Sequence, residues 1–206
     1  MSKERLAGLA QQLRIYKVPV AADDDDDDAV GEVALPGGKA EEDDVDDADT
    51  ATREAHEEIG FHPSLVDVVA FLQLTVIGLF LQHLLRVIPV IGILSDKDAF
   101  NPTPNAAEVD DVFDAPLEMF LKDENRRSEK REWMGEEYLV HYFDYQTPAA
   151  AAAAAGGGNK KYLIWGLTAG ILIRAASLVY QRPPDFLEQT PKFKLPKVVS
   201  KGTIMP

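Results

Sequence analysis

Glu54, Glu57 and Glu58 stand at i, i+3 and i+4 in one short segment. On an α-helix those spacings place side chains on a common face. Carboxylates crowded together repel one another, and a hard divalent cation relieves that repulsion. A donor set made only of oxygens suits Mg2+. Arg53, immediately ahead of them, can pair with one of the carboxylates and hold its rotamer. A solvated acidic helix face is the competing reading, and Glu-Glu pairs alone do not separate the two.

The surrounding residues say how such a cluster would be positioned. Val33–Leu35 reads as a short strand entering the Gly-rich turn Pro36-Gly37-Gly38-Lys39. An acidic connector follows, and Asp46 or Asp49 is placed to cap a helix. That helix runs through Ile59 and stops at Gly60. Ala48, Ala55 and Ile59 lie opposite the carboxylates and give the helix an apolar face for a core.

Further along, Leu65–Leu72 and Leu84–Leu94 read as two buried strands, with Leu74–Leu81 apolar and unassigned. Asn101–Asn105 is a loop, Glu108–Phe113 a strand, and Pro116–Leu121 a short helix or turn. Lys122–Glu132 reads as a charged loop in which Arg126, Arg127, Lys130 and Arg131 are salt-bridged to interleaved glutamates rather than bound to phosphate. Glu137–Tyr145 and Lys161–Trp165 read as partner strands joined by the Ala/Gly-rich stretch Ala149–Gly158, an extended hairpin loop. Leu167–Leu178 has apolar residues at helical spacing. Trp165 reads as a core residue, His56 as a surface residue, and His83 and His141 as strand side chains rather than ligands. Strands alternating with two helices predict an α/β sandwich with a mixed sheet.

Composition narrows the function. The net charge of −14 disfavours bulk binding of nucleic acid, although small anionic substrates are accessible when a metal supplies positive charge. The absence of cysteine excludes disulfides, thiolate metal sites and cysteine catalysis. The apolar stretches Phe71–Leu94 and Tyr162–Tyr180 are interrupted by charged or polar residues and do not read as membrane spans. Met1–Lys17 lacks the long apolar core of a signal peptide. The location expected is cytoplasmic, with mitochondrial as the alternative suggested by basic residues on a short helix over 3–15.

The run Arg53-Glu54-Ala55-His56-Glu57-Glu58-Ile59-Gly60-Phe61 resembles the second half of the Nudix box, written Arg-Glu-U-x-Glu-Glu-x-Gly-U with U aliphatic or aromatic. The first half departs from the pattern: Asp44 stands where the family has Glu, and eight residues rather than seven separate it from Arg53. The Leu35–Lys39 turn and Tyr162–Ala169 are similar to the coenzyme A diphosphatase branch, and Gly31 to about Glu188 is similar to its plant members.

The resemblance implies an α/β/α Nudix sandwich and a hydrolase that cleaves the diphosphate of coenzyme A or a related nucleoside diphosphate derivative. It implies Mg2+ or Mn2+ held by Glu54, Glu57 and Glu58, with Arg53 in the catalytic set and Gly37, Gly38 and Lys39 meeting substrate. Glu57, Glu58 or Glu108 would accept a proton from water. The expected partner is a small nucleotide, with no nucleic acid and no membrane, and a homodimer is the assembly expected.

The expected organisation is a short helix and acidic disordered linker over 1–30, a Nudix domain over 31–189, and a basic disordered tail over 190–206. The family has sheet strands and a motif with Arg and His ahead of Gly-Glu-Val, whereas here Pro19 and Gly31 are separated by an Asp-rich segment. A sheet lacking N-terminal strands is therefore expected. The alternative function that follows is a catalytically impaired, truncated chain acting at most as a nucleotide-binding module.

Overall fold

The computed structural model describes residues 13–17, 32–72, 74–77, 84–133, 135–148 and 159–189. The acidic run Asp23–Asp28, the loop Ala149–Gly158, His83 and the tail from Thr190 lie outside the described residues. So does most of the helix expected over 3–15. Leu13, Arg14 and Ile15, which fall in that expectation, instead open a strand, β1 (Leu13–Lys17). β1 pairs antiparallel with β2 (Val33–Ala34) on one side and β7 (Asp111–Ala115) on the other. Alternating residues in LRIYK satisfy strand pairing as readily as a short helix, and ready partners on both sides decide the matter. Strand structure therefore does precede Gly31, at the centre of a three-stranded sheet.

The expected first helix forms as α1 (Asp47–Ile59). Its N-cap is Asp46, whose Oδ1 accepts from the Ala48 and Asp49 amides at 2.9 Å each. Asp49 returns the bond by accepting from the Val45 amide at 3.1 Å, so both acids named as possible caps act at this terminus.

The region read as two buried strands is a broken antiparallel ribbon. β3 (Val66–Phe71) pairs with β6 (Val90–Leu94), and β4 (Leu74–Ile77) pairs with β5 (Leu84–Val87). Leu84–Leu94 is thus two strands, divided at Ile88-Pro89, where proline has no N–H to give a ladder. β3 is not buried on both faces. Val69 and Phe71 are 42% and 50% exposed while Val66, Val68 and Ala70 are half-buried.

The charged segment Lys122–Glu132 is largely strand rather than loop. β8 (Arg126–Trp133) pairs with β9 (Glu136–Gln146), which pairs in turn with β10 (Lys161–Trp165). A charged sequence is stable on this edge because its cations have cross-strand or same-strand partners: Lys130 with Glu137 at 2.6 Å and Arg131 with Glu129 at 2.7 Å. Such charge also protects an edge from pairing with other chains. The strand pairings among the described residues are antiparallel, the expected mixed sheet notwithstanding.

The last helix among the described residues is α2 (Gly166–Tyr180). Two apolar clusters lie on opposite sides of the strands. One joins Val33, Phe113, Phe143, Tyr162 and Ile164 to α2 and to the 3-10 turn Leu117–Leu121. The other joins Ile59 of α1 to Phe100 and Val109, with Ala34 and Val112 packed against it. Residues of alternate parity on β2 and β7 feed the two clusters, which makes the architecture helix, sheet, helix.

His141 on β9 is a strand side chain, as expected, and is 6% exposed. Burial, aided by Arg126 at 3.1 Å from Nδ1, lowers its pKa to about 4. The unfolded chain therefore takes up a proton near pH 6.5 that the native state refuses until near pH 4. Stability falls as pH drops through this window, by on the order of 2–3 kcal/mol. Urea midpoints at pH 7 and 4.5 should show that loss. The His141→Gln variant should show a shallower dependence, and identical slopes would contradict the assignment.

Candidate active site

The Gly turn is drawn onto α1 by one arginine. Arg53 donates from Nε to Asp44 Oδ1 at 2.9 Å and from Nη2 to Asp44 Oδ2 at 3.1 Å, a two-pronged pair. The same Nη2 donates to the Lys39 carbonyl at 3.1 Å. The pairing keeps the Asp44 carboxyl far below the usual carboxylate range and raises Arg53 further above its ordinary value. Asp44, which looked like a departure from the motif, is the anchor of the connector. The residue type and its position after Gly38 were the available signal, and only the contact with Arg53 gives them meaning.

Arg53 also meets the acidic triplet. Its Nη2 is 3.2 Å from Glu54 Oε1, and its Nη1 donates to Glu57 Oε2 at 3.3 Å. The repulsion anticipated within the triplet is thus offset by a guanidinium as well as by solvent. The three carboxylates differ in setting. The Glu54 and Glu57 side chains are 15% and 55% exposed, and Glu58 is buried at 8%. Among the described residues no group of three His, Asp or Glu side chains is gathered closely enough to hold a metal ion.

Gly38 lies directly against Glu54. A Cβ there would overlap the carboxylate, coming 2.5 Å from Cδ and 2.8 Å from Oε2, whereas at Gly37 it would meet nothing. Of the two glycines, the close approach needs only the second. Lys39 contributes its backbone carbonyl to Arg53, and the residue is exposed.

The other end of α1 is held equally firmly. Gly60 adopts φ 72°, and the Gly60 and Phe61 amides return to His56 and Ala55 carbonyls at 3.0 Å each. The last carbonyls are met from the loop expected at Asn101–Asn105: Thr103 N donates to Ile59 O at 3.0 Å and Asn105 N to Glu58 O at 2.8 Å. The Asn105 carbonyl then accepts from Glu108 N and Val109 N. Glu108 is exposed on this loop, so the turn that carries it is tied by backbone bonds to the residue bearing Glu58. His56 is exposed, in an edge contact with His62 at 5.4 Å.

The profile of the NUDIX domain matches residues 22–136, more than half of the chain. The chain belongs to the Nudix family. It is 69% identical over 168 residues to Nudix hydrolase 15, mitochondrial, of Arabidopsis thaliana, an alignment covering 82% of this chain and 54% of that protein. Identity to Nudix hydrolase 22, chloroplastic, of the same plant is 66%, covering 82% and 51%. The peroxisomal coenzyme A diphosphatase NUDT7 of Mus musculus is 35% identical, covering 80% and 61%. The chain spans about half the length of the two plant relatives.

These contacts make the Nudix box helix sensitive at its C-terminal glycine. Gly60→Ala adds a Cβ at positive φ and into the Thr103 side chain. A loss of about 2 kcal/mol or more is expected in urea denaturation. Gly37→Ala, in open space, should change stability by less than about 1 kcal/mol, and equal losses would refute the distinction.

Proposed function

We propose that this Nudix protein is a divalent-metal-dependent hydrolase that cleaves the diphosphate of coenzyme A or a related nucleoside diphosphate derivative. The observation that carries the reading is Glu54 packed onto Gly38, with Glu57 and Glu58 one helical turn on. The resemblance of the mouse coenzyme A diphosphatase over most of this chain supports the substrate class.

The donor chemistry is that of a hard-cation site, although among the described residues the three side chains are not drawn together around a common point. It offers carboxylate oxygens from adjacent helical turns, and a glycine that leaves room for backbone and carboxylate to approach together. Glu54, Glu57 and Glu58 would hold Mg2+ or Mn2+. Bound there, such an ion supplies charge neutralisation for the diphosphate and a more acidic water. Arg53 orients Glu54 and Glu57 and fixes the turn that carries Gly37, Gly38 and Lys39 toward the substrate. Glu57, Glu58 and Glu108 are the carboxylates in line to accept the proton of the attacking water. Among the described residues no helix is long and apolar enough to cross a membrane. The plant relatives' names print one mitochondrial and one chloroplastic location, which supports an organelle, the mitochondrion among them, over the cytoplasm.

Purified protein with Mg2+ should convert coenzyme A to two phosphomonoester products, and chelation by EDTA should stop turnover. NADH and ADP-ribose serve as comparison substrates. Glu54→Gln, Glu57→Gln and Glu58→Gln should each lower kcat by on the order of 10²–10⁴-fold. Gly38→Ala should lower kcat/KM by at least about tenfold through displacement of Glu54. A folded wild type inert toward every diphosphate offered would reject the reading, and full activity in Glu58→Gln would remove that residue from the mechanism.

A further inference from the structure

The loop from Phe100 to Val109 carries Glu108, and its sequence limits the bonds it can make. Pro102 and Pro104 have no N–H, so over residues 102–105 the amides left to donate are those of Thr103 and Asn105. A proline also holds the residue before it extended, and in extended backbone amides two residues apart point the same way. Both amides go to the end of α1: Thr103 N to Ile59 O at 3.0 Å and Asn105 N to Glu58 O at 2.8 Å. Carbonyls at a helix end have no partner within the helix, and the loop meets these two.

Asn105 then collects the amides that follow it. Its side-chain Oδ1 accepts from Ala107 N at 3.2 Å. Its backbone carbonyl accepts from Glu108 N at 3.0 Å and Val109 N at 2.8 Å. Three consecutive amides thus end on one residue, the bonding of a cap over a single turn. The backbone of Glu108 is thereby two hydrogen bonds from that of Glu58, with Asn105 as the link in both.

Packing does not replace this link. Phe100 and Val109, at either end of the loop, are buried with Ile59 of α1. Between them, Asn105, Ala106, Ala107 and Glu108 are exposed, so hydrogen bonds hold the backbone there. The side chain is what an alanine at 105 would lose, because the backbone bonds need no side chain. The same device recurs in this chain with aspartate: Asp46 and Asp96 each accept from the amide two residues on, at 2.9 and 3.0 Å. An acceptor oxygen at that place is therefore the chemical requirement, and Asn and Asp both meet it.

We propose that Asn105 is a positioning residue for Glu108: by shaping the turn tied to the Glu58 end of α1, it sets where the loop carboxylate enters the diphosphate site. The proposal rests on the hydrolase reading above and goes beyond it, because it makes loop and helix end one unit delivering a carboxylate from each. The full chain is assayed with coenzyme A and Mg2+ as parent, Asn105→Ala, Asn105→Asp, Glu108→Gln and the double variant Asn105→Ala with Glu108→Gln. Melting and amide hydrogen exchange over residues 106–109 are measured on the same samples.

Asn105→Ala should lower kcat by about tenfold and leave KM within about twofold. Asn105→Asp should recover most of that loss. In the Glu108→Gln background the alanine should change kcat by less than about twofold, because the group it positions is gone. Amides 107–109 should exchange faster in Asn105→Ala and at the parent rate in Asn105→Asp. Parent kcat in Asn105→Ala or in Glu108→Gln would overturn the proposal. So would an equal loss in both backgrounds, which marks a merely structural role, or a folded Asn105→Asp that recovers nothing. Should Asn105→Ala fail to fold, Asn105→Ser, with a shorter and weaker acceptor, enters the same cycle. A folded parent inert toward every diphosphate removes the hydrolase reading itself, whereas an active parent with additive losses removes the role of Asn105 alone.

Discussion

One guanidinium organises the site. Arg53 grips Asp44 with two hydrogen bonds, takes the Lys39 carbonyl, and faces Glu54 and Glu57. A planar fork of fixed donors can do this where an ammonium point charge cannot. Without it, the acidic connector between the glycine turn and α1 would keep only local turns, such as the Glu41–Asp44 hydrogen bonds, against its self-repulsion. With it, the connector becomes a closed loop that sets Gly38 against Glu54. The acid-rich sequence from Glu41 to Asp49 is tolerable because its charges are distributed among Arg53 and the backbone amides at the head of α1.

The helix itself is pinned at both ends and along one side. Asp46 and Asp49 fasten the first turn, Gly60 and the Thr103–Asn105 backbone fasten the last, and Ile59 buries against Phe100 and Val109. Side chains on so constrained a helix have few ways to drift, which favours a site that depends on the mutual placement of charged groups. The second core, beneath α2, does a different job. It holds β7, β9 and β10 together through stacked Phe113 and Tyr162 and through the Asp111–Tyr162–Lys160 hydrogen bonds.

Much of this could be read from the chain. The i, i+3, i+4 spacing, the capping aspartates and Gly60 placed α1 nearly residue for residue, because these are local signals that depend on neighbours within one or two turns. α2 was equally legible from its apolar spacing. The family followed from nine consecutive residues, and the NUDIX domain match agrees with them. The readings that failed were those that depend on partners distant in sequence. Leu13–Lys17 and Arg126–Trp133 look helical or loop-like alone, and become strands because β7 and β9 supply a ladder.

What the sequence by itself determined was the inventory of chemistry: three glutamates on one helical face, an arginine ahead of them, and a glycine turn upstream. The tertiary structure decided how that chemistry is distributed. It turned Asp44 into the anchor of Arg53, separated an exposed Glu57 from a buried Glu58, and singled out Gly38 over Gly37. It also laid Arg127, Tyr142 and Trp165, spread over nearly forty residues, in one row. The reason is that spacing fixes which side chains share a face, but only packing and pairing between remote segments fix what that face meets.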